Sequence, residues 1–128
     1  VNLDHYILDT DTLLALGGNK QVSGLIHIAS EDAFVRLWVP ITSALEAERH
    51  RAGIIDYIGI LDTLHTLDTD YEAAHAIAEL HSQSIPIGVA AAVHAARPTI
   101  NRPEGALVAT VTADAYEGLG VPVMDLNR

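Results

Sequence analysis

Tyr6-Ile7-Leu8 is an apolar, β-forming run that passes directly into Asp9-Thr10-Asp11-Thr12 and then into Leu13-Leu14-Ala15-Leu16. This is the pattern of a short buried strand handing over to a helix. Thr10, Asp11 and Thr12 each suit the N-cap, where a side-chain oxygen accepts from an orphan backbone N–H. A buried strand that ends in a carboxylate beside a helix start puts negative charge at the carboxyl edge of a sheet. Open α/β sheets bind their ligands at that edge. Asp9 and Asp11 equally suit a structural role in turn and cap, positions that Asp favours.

The same unit recurs along the chain. Thr12–Leu16 reads as a short helix stopped by Gly17-Gly18-Asn19, and Gln21–Ala29 has helical spacing at Val22, Leu25, Ile26 and Ala29. Gly17-Gly18-Asn19-Lys20 lacks the glycine and Lys-Ser/Thr spacing of a phosphate loop. Phe34–Val39 reads as a strand closed by Pro40, and Ile41–Arg51 as a helix. There Ser43 lies three residues before Glu46, the spacing of a capping box, so Glu46 has a purely structural reading as well. Ile54–Leu61 is expected to be a packed helix, Leu64–Leu67 a short strand, Tyr71–Ser82 a helix and the alanine-rich Ile87–Ala96 a buried helix. His94 on that last helix suits a half-buried core or rim position better than a ligand. Arg97–Gly105 reads as a loop, Ala106–Val111 as a buried strand, Ala115–Leu119 as a short helix and Val121–Asp125 as an edge strand that tolerates Pro122. Strands alternating with helices indicate a parallel α/β sheet.

Composition narrows the chemistry. The 128 residues form one domain, 1–128. With 5% aromatic residues, the core is expected to be aliphatic. Seven Lys and Arg against 17 Asp and Glu give a formal charge of −10, which argues against a broad basic grip on nucleic acid. That charge suits a divalent-cation site or a module that needs a basic partner. Without cysteine there is no disulfide, thiolate zinc site or cysteine nucleophile. The seven histidines contain no H-x-x-x-H pair, so a histidine zinc site has no basis. No apolar stretch approaches the roughly 20 residues needed to cross a bilayer. With no basic-then-apolar leader in view, a cytoplasmic location without membrane association is expected.

A second strand-to-acid junction lies at Leu107–Asp114. In a parallel sheet Asp9 and Asp114 both fall at strand carboxyl ends, and Glu46 projects from the helix after the second strand. Carboxylates converging on one cleft repel each other unless protons or a cation neutralise them. Oxygen-rich sites of this kind suit Mg²⁺ or Mn²⁺, which activate water and stabilise in-line phosphodiester displacement.

In order and spacing, Tyr6–Leu14, Val39–Ala47 and Leu107–Asp114 followed by Gly118–Leu126 resemble the motifs of PIN domains, small metal-dependent ribonucleases known as toxins of bacterial toxin–antitoxin pairs. The resemblance implies a three-layer α/β fold with a central, mostly parallel sheet of about four to five short strands flanked by helices. It implies that Asp9, Glu46 and Asp114 are catalytic metal ligands for Mg²⁺ or Mn²⁺, with Asp11 as an added ligand and Thr10 and Thr112 as neighbouring polar groups. It further implies RNA as substrate, an antitoxin or other protein partner, and a homodimer. With so few cations, RNA binding would rely on a few residues such as Arg49, Arg51, Arg97 and Arg102.

One acid of the PIN pattern is missing. The family carries an Asp at the start of the helix that reads Ile87-Gly88-Val89-Ala90 here, so Gly88 or Val89 stands in its place. Three functions follow: a PIN-type endoribonuclease; a PIN-fold binding or regulatory module that no longer cuts; or an unrelated small α/β scaffold whose acids only cap helices.

Overall fold

The strand at the head of the chain becomes the centre of the sheet. A computed structural model describes residues 3–127, in which β1 (Asp4–Leu8) pairs in parallel with β2 (Val35–Pro40) on one side and β4 (Leu107–Thr110) on the other. The edges are β3 (Leu64–Leu67) beside β2 and β5 (Val123–Asp125) beside β4, all parallel, in the order β3-β2-β1-β4-β5. The strand order reverses between β1 and β4, so the crevice at their carboxyl ends is the topological switch point of the sheet.

Side-chain alternation divides the core between two faces. Leu8, Leu37, Val39 and Ala109 pack against α1 (Thr10–Leu14), α2 (Lys20–Glu31), α3 (Ile41–His50) and α4 (Ile54–Gly59). Ile7, Val108 and Trp38 face the other way, towards α6 (Ile87–Ala96), outside which lies α5 (Tyr71–Ser82). Each fully buried Leu, Ile or Val contributes about 1.5–3 kcal/mol, and these aliphatic layers supply most of the core. Helix α6 is buried at every position but Ile87 and His94, because its small side chains let α3, α5 and the sheet approach from three directions.

The elements follow the sequence expectation closely, with shifts at junctions. Helix α1 begins at Thr10 rather than Thr12, because Asp9, rather than any of the three residues after it, is the N-cap. The short helix expected over Ala115–Leu119 is a 3-10 turn at Ala113–Tyr116. The capping box does not form: Pro40 is the N-cap of α3, and the Ser43 hydroxyl donates to the Gly88 carbonyl at 2.9 Å. The neighbouring acid Glu48 has the capping role instead, accepting from Gly53 N and Ile55 N at the start of α4. Among the described residues no helix is long and apolar enough to cross a membrane.

Candidate functional site

Asp9 is the hub of the switch-point crevice. It leaves the buried end of β1 with 1% exposure and caps α1. Each carboxylate oxygen takes two donors. Oδ1 accepts from the Thr12 backbone N–H at 3.0 Å and the Thr12 hydroxyl at 2.7 Å. Oδ2 accepts from the Thr110 hydroxyl at 2.7 Å and the Tyr116 phenol at 2.6 Å. A carboxylate has about four lone-pair directions, so the protein itself fills the acceptor capacity of this one. The Tyr116 pKa is pushed far upward, first by burial and then by the adjacent Asp9 charge, which keeps the phenol a donor.

Gly88, one of the two positions where the missing acid was expected, is closed to any side chain. A Cβ on Gly88 would stand 2.1 Å from Thr10 Oγ1 and 2.9 Å from Thr10 Cβ. Thr10 is fixed there by donating its hydroxyl to the Ser43 carbonyl at 2.9 Å. Thr10, Ser43 and Gly88 thus lock the starts of three helices together, in space where another sequence would project a side chain.

Of the remaining acids, Glu46 pairs within its own helix, Asp11 is linked to the Asp9 shell through Thr112 and Thr110, and Asp114 stands exposed. Glu46 Oε1 lies 2.8 Å from Arg49 Nη2 and 3.4 Å from His50 Nε2, and its pKa is lowered chiefly by the Arg49 hydrogen bond. Asp11 is exposed and accepts from the Thr112 hydroxyl at 2.9 Å. Asp114 is exposed in the 3-10 turn. Among the described residues, no group of three or more His, Asp or Glu side chains is placed to hold a metal ion. With its lone pairs already taken, Asp9 does not fit a Mg²⁺ or Mn²⁺ centre.

Of the arginines expected to meet substrate, Arg49, Arg51 and Arg102 have local partners. Arg49 is held by Glu46, and Arg51 Nη1 donates to the Leu14 and Leu16 carbonyls at 3.3 and 3.4 Å, closing the C-terminal end of α1. Arg97 is exposed after α6, and Arg102 lies over Trp38. Sequence reasoning missed the Asp9 donors Thr12, Thr110 and Tyr116. The one available signal was a tyrosine two residues after Asp114 in an aromatic-poor chain.

No protein-family model matches the sequence, and neither does any curated protein. Solved structures do match in fold. VapBC2 from Rickettsia felis, bound to a DNA fragment from its promoter, superposes with a TM-score of 0.62 at 13% identity, covering 94% of this chain and 98% of that one. FitAB bound to the IR36 DNA fragment gives a TM-score of 0.56 at 15% identity, covering 96% of each chain. The chain has a PIN-like fold.

Proposed function

We propose that this chain is a PIN-fold binding module of the toxin–antitoxin type, in which the nuclease centre has become a structural anchor. The observation that carries this is the four-donor shell around Asp9. A metal ligand must offer lone pairs to the ion, and rearranging two threonines and a buried tyrosine to free them would cost several hydrogen bonds of about 1 kcal/mol each, more for a charged acceptor. The closed space at Gly88 supports the same reading, since no carboxylate fits there while Thr10 holds its position. A protein partner is supported by the shared fold, whose solved examples VapBC2 and FitAB are toxin–antitoxin complexes bound to DNA. The charge of −10 favours a basic partner surface.

Calorimetric titration with Mn²⁺, followed by RNA-cleavage assays in Mg²⁺ and Mn²⁺, tests the proposal. The expected result is no saturable binding at millimolar metal and no cleavage. Saturable Mn²⁺ binding together with RNA cleavage, both lost in Asp114→Asn, would overturn it in favour of the endoribonuclease. Asp114 is exposed, so that variant leaves the core intact.

A further inference from the structure

Two buried side-chain polar atoms among the described residues lack a hydrogen-bond partner: His94 Nδ1 and Arg102 Nε. Both residues line the same cavity of about 150 Å³, whose wall also includes Leu67, Asp68, Asp70 and Thr99. The cavity lies at the end of α6 opposite Gly88, between the N-terminus of α5 and the loop of residues 97–105. Nothing in the Asp9 hub touches it.

Arg102 is held there by its backbone rather than by a charge. Its N–H donates to Thr99 Oγ1 at 3.0 Å, and its carbonyl accepts from Thr99 N at 3.0 Å and Gly105 N at 2.8 Å. Gly105 closes the loop at φ +73°, where a Cβ would stand 2.5 Å from the Ala96 carbonyl oxygen. In a chain with 17 acids, Arg102 makes no ion pair among the described residues, and its guanidinium rests on Trp38 with Cζ 5.4 Å from the ring centroid. A buried, charged donor without an acceptor is costly, so each such group in a folded protein calls for an explanation. Burial lowers the Arg102 pKa, and burial followed by the Arg97 charge lowers that of His94. A neutral His94 offers Nδ1 as either a donor or a lone pair.

We propose that this cavity binds a small amino-acid-like zwitterion, its carboxylate taken by Arg102 and His94 and its ammonium by the exposed Asp68 and Asp70. The carboxylate supplies a counter-charge to a guanidinium that makes no ion pair among the described residues. The two acids of the wall would repel a simple anion and favour a ligand with a positive end. Drug-sized ligands fill pockets of roughly 300–1,000 Å³, so this smaller volume admits only a handful of heavy atoms. The proposal is independent of whether the chain cuts RNA.

Trp38 is the sole tryptophan and lies against Arg102, so its fluorescence reports on the site. Alanine and acetate are titrated at constant ionic strength, with melting temperature as a second readout. Alanine is expected to give a saturable fluorescence change and a rise in Tm, with acetate weaker. Arg102→Gln is expected to weaken alanine about tenfold or more, the scale of a lost charged hydrogen bond. Asp68→Asn, an exposed change that leaves the fold alone, should weaken alanine while leaving acetate unchanged, and it carries the test if Arg102→Gln fails to fold. No saturable response to alanine, as when the cavity holds only water, would overturn the proposal. So would an equal response in Arg102→Gln, or acetate binding as tightly as alanine.

Discussion

Tyr116 donates its phenolic O–H to Asp9 Oδ2 at 2.6 Å, joining the turn after β4 to the exit of β1 across 107 residues of sequence. That bond fastens the 3-10 turn to the sheet. Tyr116→Phe removes one donor but leaves Thr110 on the same oxygen, so a loss of about 1–2 kcal/mol is expected. A lower urea midpoint at unchanged m-value would verify it. An unchanged midpoint would mean that the bond adds nothing to stability.

Asp9→Asn is expected to cost more, about 2–4 kcal/mol, because an amide nitrogen cannot accept from the two donors that meet at one oxygen. Glu46→Gln is expected to cost under about 1 kcal/mol, since it loses only partly solvated pairs with Arg49 and His50. Denaturation of both variants side by side separates an anchor from a surface acid. Equal losses would contradict the contrast.

Gly88→Ala raises helix propensity yet should destabilise by about 1–3 kcal/mol, since its Cβ would meet Thr10 Oγ1 at 2.1 Å. Adding Thr10→Gly removes both clashing atoms. The double variant is therefore expected to be more stable than the sum of the two single losses allows. Strict additivity in a double-mutant cycle would show that the close approach is not what constrains residue 88.

Stability should also fall on acidification. His5 Nδ1 accepts the Trp38 indole N–H at 3.0 Å, and burial, then the charges of Arg102 and Arg36, hold its pKa below 6.5. His94 is lowered likewise. The unfolded chain takes up protons that the folded chain refuses. This stabilisation is thus fully present above about pH 6.5 and drains away as the pH falls towards the lowered folded values. Urea midpoints at pH 7.5 and 5.5 should differ in that sense, and His5→Gln should narrow the gap. A wild-type midpoint that rises at pH 5.5 would reverse the sign and rule this account out.

Helical periodicity made the longer elements legible: α5 and α6 occupy the residues that their spacing predicts. Each is bounded by a local signal, as where Asp70 accepts from Ala73 N at the start of α5. Short elements were less legible because tertiary bonds set their ends. Helix α1 starts early since Asp9 reaches forward to Thr12, a choice made together with Thr110 and Tyr116 from the far end of the chain. The acids of the crevice were visible in the sequence, and their partners were not. Thr12 and Thr110 look like ordinary helix and strand residues until β1 and β4 lie side by side.

The strand order has a consequence for how the chain reaches its native state. Strands β1, β2 and β3 are made first and are adjacent, so they associate through short-range connections. The fourth strand must insert on the far side of β1 after some hundred residues of intervening chain, a closure of long loop entropy. Until it does, the Asp9 carboxylate has only its Thr12 neighbour and lacks the donors from Thr110 and Tyr116. A sheet that lacks β4 therefore leaves the carboxylate at the end of β1 short of two donors, which disfavours its burial before β4 is in place.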